Sequence, residues 1–156
     1  MTESLDKDTK RKLYAYCAYQ ERCKHEVRQK LRDLEVQEEE ISEWLTHLEQ
    51  ENFLDEDRFA RTYARGKFVY KRWGKLRIRQ ELRRKQVNEQ LIQSAIRTEI
   101  TDEAYRNTLD KLLQLKKIRH PLDVNEQKKL VFYLKQKGYE WPEISEALQR
   151  LKKDDK

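Results

Sequence analysis

Proline and glycine are nearly absent, with 2 Pro and 3 Gly in 156 residues. Sandwiches and barrels need many tight turns, so that scarcity argues against them. Rossmann and P-loop sites need glycines at fixed offsets, and the sequence holds no such run. Two cysteines, Cys17 and Cys23, are too few for a disulfide scaffold. No stretch approaches the roughly 20 apolar residues of a membrane span. The N-terminus, Met1-Thr-Glu-Ser-Leu-Asp-Lys-Asp, is charged and lacks an apolar signal core. A cytoplasmic protein with free thiols is expected, with no membrane contact.

Catalytic patterns are missing too. His25, His47 and His120 are scattered, and no G-x-S-x-G, H-E-x-x-H or calcium-loop pattern occurs. Cys23 and His25 lie close, but C-x5-C-x-H matches none of the usual zinc spacings. Both cysteines read as small helix residues that fill space. Glu38-Glu39-Glu40 cannot converge on a metal, because successive helix residues point about 100° apart. No enzyme activity, metal or cofactor is expected.

Charge is what the sequence has: 41% of residues are Asp, Glu, Lys or Arg. Leu, Ile, Val and Phe number 36, about 23% and just above the rough 20% line below which chains stay disordered. With so few breakers, the expected fold class is all-α with a thin core. The net charge of +6 hides a division. Residues 35–57 carry ten acids and no Lys or Arg. Residues 58–85 carry twelve Lys or Arg against Glu81 alone, a net +11 that leaves −5 for the rest. Such concentration marks a surface for a polyanionic or acidic partner. The bland alternative is that the acidic run neutralises the basic one within the molecule.

The sequence also repeats. A shift of 51 places Lys24-His-Glu-Val-Arg-Gln-Lys-Leu-Arg on Lys75-Leu-Arg-Ile-Arg-Gln-Glu-Leu-Arg, with eight identities in nineteen positions. A further shift of 52 places Ile78 on Leu130, Leu82 on Leu134, Val87 on Tyr139, Ile92 on Ile144 and Ile96 on Leu148. Each copy reads as three helices. The expected division is a tail at 1–8, units at 9–53, 54–100 and 101–152, and a tail at 153–156. Three tandem three-helix units should stack into an elongated, curved array, the alternative being one compact bundle.

In the first unit, helices are expected over about 9–21, 24–34 and 37–50, and in the third over about 102–118, 124–137 and 142–152. In the second, Phe59, Tyr63, Gly66, Tyr70 and Trp73 share one face of a helix capped by Asp55 and ended by Gly74. That stripe, with Ile78 and Leu82 on the next helix, is the expected core. Asn88 reads as a cap, Asp123-x-x-Glu126 as a capping box, Gly138 as a C-terminal cap and Pro142 as a helix start. Trp44 and Trp73 read as core, and Trp141 as half-exposed.

Cations flank the buried stripes of the second unit. Arg58, Arg65 and Arg72 recur at i, i+7 and i+14. Lys75, Arg79 and Arg83 follow at intervals of four, beside a second row of Arg77 and Arg84. The candidate partner-binding residues are these with Arg61 and Lys71. Arginine outnumbers lysine eight to four in the segment, which favours bidentate contacts with carboxylate or phosphate.

Leu54-Asp-Glu-Asp-Arg-Phe-Ala60, followed by Gly74-Lys-Leu-Arg-Ile-Arg-Gln-Glu-Leu-Arg-Arg-Lys85, resembles the signature of the RecX family of bacterial RecA regulators. The resemblance covers about residues 9–151. It departs from the family where Glu35 and Gln86 replace the glycine usual after the middle helix, and where Cys23 replaces a Ser cap. It implies a protein that lodges in the groove of the RecA filament and limits ATPase, strand exchange and co-protease action. Single-stranded DNA within the filament is a further candidate contact, and a monomer is expected. The alternatives are a direct nucleic-acid binder without RecA dependence, whose affinity would fall steeply with salt, and a scaffold for another acidic protein.

Overall fold

The computed structural model describes residues 6–118 and 121–154; His120 and the outer parts of the two expected tails lie outside the described residues. Among the described residues are nine helices and no strand. The first three are α1 (Lys7–Tyr19), α2 (Lys24–Asp33) and α3 (Glu38–Gln50). The next three are α4 (Glu56–Lys71), α5 (Lys75–Arg84) and α6 (Glu89–Glu99). The last three are α7 (Asp102–Leu115), α8 (Val124–Lys137) and α9 (Trp141–Asp154). Helix packing falls mainly within these triples, α4 against α6 most extensively.

Local chemistry sets the helix starts. Asp6 accepts from the Thr9 N–H and begins α1 two residues before the apolar pattern would. Asp55, Asn88, Thr101 and Asp123 cap α4, α6, α7 and α8 in the same way. Each such cap is worth about 1 kcal/mol, which matters in a chain with little apolar surface to bury. Pro142 sits in the first turn of α9, where its missing N–H costs nothing.

The repeat is a repeat of packing. Val27, Ile78 and Leu130 are all buried, as are Leu31, Leu82 and Leu134. Ile41, Ile92 and Ile144 are buried too. After each middle helix the chain turns through a left-handed residue, Glu35 (φ 63°), Gln86 (φ 61°) and Gly138 (φ 106°). The two side chains there cost about 1 kcal/mol or more each, so packing on both sides must hold those turns.

There are three units but two cores. Leu13, Val27, Leu31, Trp44 and Leu48 belong to a cluster confined to the first unit and Leu54. The second cluster runs without a break from Phe59 in α4 to Leu148 in α9, and includes Cys23 at the N-cap of α2. Cys23 therefore leaves its own unit to plug the second. Burial pushes its thiol up to about 11. Cys17 is buried within α1 as expected, while Cys23 precedes its helix.

The aromatic stripe of α4 departs from expectation. Phe59 is buried, but Tyr63 and Trp73 are half-buried and Tyr70 is 82% exposed. The core face is instead Phe59, Ala60, Ala64 and Phe68. Two small alanines bring α4 close to its neighbours, which turns the larger aromatics outward. Trp44 is core and Trp141 half-exposed, as expected.

Candidate partner-binding surface

The joint between the second and third units is closed by backbone. The N–H groups of Gly74 and Leu76 donate to the carbonyls of Lys137 (2.7 Å) and Gly138 (3.1 Å). Between them, the Lys75 N–H donates to the Tyr105 hydroxyl at 3.0 Å. The first amides of α5 are thus satisfied by neutral groups of the third unit, and its first turn holds no acid. Tyr139 donates its hydroxyl proton to the Arg72 carbonyl at 2.9 Å and stacks on Tyr105 at 5.1 Å. Burial pushes both phenols well above their ordinary range.

The joint between the first and second units solves the same problem with carboxylates. The Cys23 N–H donates to Glu26 at 3.1 Å, and the Lys24 N–H to Glu56 at 2.9 Å. Lys85 Nζ then pairs with Glu26 at 3.0 Å, and Arg58 with Glu21. Shifting by 51 turns Glu26 into Arg77, and shifting by 52 turns Lys85 into Lys137. The ion pair of one joint becomes two cations in the other.

Those two cations have company. Burial, then Arg77, Arg72, Lys71 and Lys116, push the Lys137 ammonium below its ordinary value. Lys137 Nζ donates to the Lys71 carbonyl at 2.9 Å, and the Arg77 guanidinium lies 4.1 Å over the Trp73 ring. Among the described residues, Lys71, Arg72, Arg77, Lys116 and Lys137 form no ion pair with a carboxylate within 4.0 Å. Carbonyls hold Lys137 and Arg77, and rings lie against Arg77 and Lys116.

The ten sequence candidates divide on this point. Arg58, Arg61, Arg65, Lys75, Arg83 and Arg84 are engaged by Glu21, Asp57, Glu99, Asp102, Glu89 and Glu81 respectively. Several of these pairs are exposed, where solvent and salt screen them and their hold is weak. Lys71, Arg72, Arg77 and Arg79 have no such carboxylate among the described residues. The acidic run 35–57 supplies Asp57 to Arg61 and otherwise contributes little to these pairs. The structure thus brings Lys71, Arg72 and Arg77 together and adds Lys116 and Lys137 from the third unit. Sequence reasoning missed those two, although the shift of 52 already set Lys137 on Lys85.

Among the described residues, no group of three or more His, Cys, Asp or Glu could hold a metal, and no helix is long and apolar enough to cross a membrane. Tandem three-helix units with a cationic joint define a helical-repeat protein. Two family models match in chain order: RecX, first three-helix domain, over residues 10–48, and RecX, second three-helix domain, over residues 55–96. The chain belongs to the RecX family. It is similar to the regulatory protein RecX of Vibrio parahaemolyticus, 36% identical over 126 residues that cover 80% of this chain and 79% of that one. The regulatory protein RecX of Oceanobacillus iheyensis is 30% identical over 152 residues, 93% of this chain and 55% of that one. The crystal structure of RecX from Lactobacillus salivarius aligns with a TM-score of 0.78 and 26% identity, over 93% of this chain and 97% of that one.

Proposed function

We propose that this protein binds the filament of RecA on single-stranded DNA and inhibits its ATPase, strand exchange and co-protease activities. It acts in the cytoplasm, as a monomer, by binding rather than by catalysis. The units 9–53, 54–100 and 101–152 lie in succession along the filament groove, with the basic second unit as the main contact. The observation that carries this reading is the cationic joint: Lys71, Arg72, Arg77, Lys116 and Lys137 converge with no carboxylate partner among the described residues. In a member of the RecX family, such a charge fits the acidic protein surface and the phosphates that a nucleoprotein groove presents side by side.

Arg58, Arg61, Arg65, Lys75, Arg79, Arg83 and Arg84 extend the contact along α4 and α5. The test is RecA ATPase on single-stranded DNA, titrated with the protein. Inhibition by the wild type is expected, and Arg77→Glu with Arg79→Glu should weaken it at least a hundredfold, because partly desolvated charged contacts contribute about 1–3 kcal/mol each. Lys128→Glu with Lys129→Glu, on an exposed face of α8, should change it little. Equal binding to DNA without RecA, falling steeply with salt, would favour a direct nucleic-acid binder instead.

A further inference from the structure

The aromatic face that α4 turns outward lines a groove of about 640 Å³ between the first and second units. Tyr63, Gly66, Tyr70 and Trp73 line it at helical spacing, together with the buried Phe59. This is the spacing of a core stripe, yet Tyr70 is 82% exposed and Tyr63 and Trp73 are only half-buried. Gly66 lies at the centre, and a Cβ built there would meet nothing within 4 Å. An interior helical glycine costs about 0.5–1 kcal/mol relative to alanine. Nothing in the fold requires Gly66, so the space above it is the feature to explain.

The charges around the groove say what fits. Its acids are already engaged: Glu21 by Arg58, Glu26 by Lys85 and Glu81 by Arg84. Its remaining cations, Lys67 and Lys71, form no ion pair among the described residues. Lys67 Nζ lies 5.0 Å from the Trp73 ring centroid and 5.4 Å from that of Tyr63. Cations therefore already sit over Tyr63 and Trp73, which leaves Tyr70 as the one open ring of the groove on which a nucleobase could stack. An apolar side chain entering over Gly66 would lie among Tyr63, Tyr70 and Trp73, and a carboxylate beside it would meet Lys67 and Lys71.

We propose that this groove docks an acidic segment of the partner protein, with one bulky apolar side chain seated over Gly66 and flanking carboxylates on Lys67 and Lys71. The proposal rests on the reading that the partner is the RecA filament, and it names the protein rather than the DNA as occupant. Such anchors in a pocket supply most of the affinity in many interfaces.

The test uses the full chain on RecA–single-stranded DNA. Gly66→Phe fills the groove from an open position, so it should melt at or above the wild-type temperature and inhibit at least tenfold more weakly. Val69→Phe, on the exposed side of α4, should inhibit like the wild type. In parallel, p-benzoylphenylalanine placed at position 70 should photocross-link to the RecA polypeptide, a readout that stands even if Gly66→Phe folds poorly. Cross-links to the DNA strand instead would overturn the proposal in favour of a nucleobase site. Wild-type inhibition by Gly66→Phe without cross-linking would show the groove idle. If the wild type itself fails to inhibit RecA, the functional reading falls and takes the named occupant with it.

Discussion

Gly74 and Gly138 meet backbone to backbone at the joint between the second and third units. A Cβ on Gly74 would lie 2.3 Å from both the carbonyl carbon and oxygen of Gly138. Gly138, at φ 106°, would in turn drive a Cβ to 2.5 Å from that of Arg77. Two residues without side chains let the start of α5 and the end of α8 share hydrogen bonds, and that closeness places Arg77 beside Lys137. The architecture of the joint and its electrostatics are one arrangement.

Gly74→Ala should therefore destabilise the protein by about 1–3 kcal/mol, the usual range for overpacking a site that cannot yield. At about 2–4 °C per kcal/mol for a chain near this size, thermal denaturation will resolve it. Gly66→Ala is the control. It removes the same residue type from an open helical position and should stabilise by about 0.5–1 kcal/mol. Equal effects of the two would refute the joint as described.

Leu82 is fully buried in the core shared by the second and third units. Leu82→Ala should cost about 2–5 kcal/mol in urea denaturation, the transfer and cavity terms together. Leu31→Ala, at the equivalent position in the first unit's separate core, should leave amide exchange in α7–α9 close to that of the wild type. Leu82→Ala should accelerate it. Identical exchange patterns would show that the two clusters unfold as one.

Cys23 is inaccessible, and its thiol is raised from 9.0 to about 11 by burial. The folded state thus favours the neutral thiol. Its contribution to stability is full below pH 9 and is lost as pH rises through about 11. Unfolding free energy should fall more steeply from pH 9 to 11 in the wild type than in Cys23→Ala. At pH 8 a thiol reagent should label the native protein slowly and the urea-denatured protein at both cysteines. Rapid native labelling of Cys23 would contradict its place in the joint.

The helices, the period and the apolar positions of every unit were legible because a buried stripe leaves a 3.6-residue pattern whatever it packs against. The resemblance to the RecX family was legible in Leu54–Ala60 and Gly74–Lys85 for the same reason: those residues make the joints. The outward face of α4 was not, since the pattern Phe59, Tyr63, Gly66, Tyr70 and Trp73 does not say whether anything covers it. Ala60 and Ala64 decide that by bringing their own face closer, and small residues give a weak signal. The cationic joint was half legible. The basic run is plain along α4 and α5, but which cations remain unpaired depends on carboxylates brought from the α1–α2 loop, α2, α6 and α7.

The sharpest expectation comes from exchanging charges between the two joints. Arg77→Glu gives the second joint the residue that Glu26 supplies in the first, opposite Lys137 as Glu26 is opposite Lys85. It loses the contact of Arg77 with Trp73, worth about 0.5–1 kcal/mol at an exposed site, and removes one of the cations that, after burial, hold down the Lys137 ammonium. These effects offset, so Arg77→Glu should melt within a few degrees of the wild type. The mirror change, Glu26→Arg, sets a cation against Lys85 in a half-buried place and removes the carboxylate that caps Cys23. Losing charged hydrogen bonds of this kind costs about 1.5–3 kcal/mol, so its melting temperature should fall clearly. RecA inhibition should divide the other way: Arg77→Glu loses it while folded, and Glu26→Arg, assayed well below its own melting point, retains most of it. If Arg77→Glu is both as stable and as inhibitory as the wild type, Arg77 serves neither the fold nor the contact and the partner binds elsewhere.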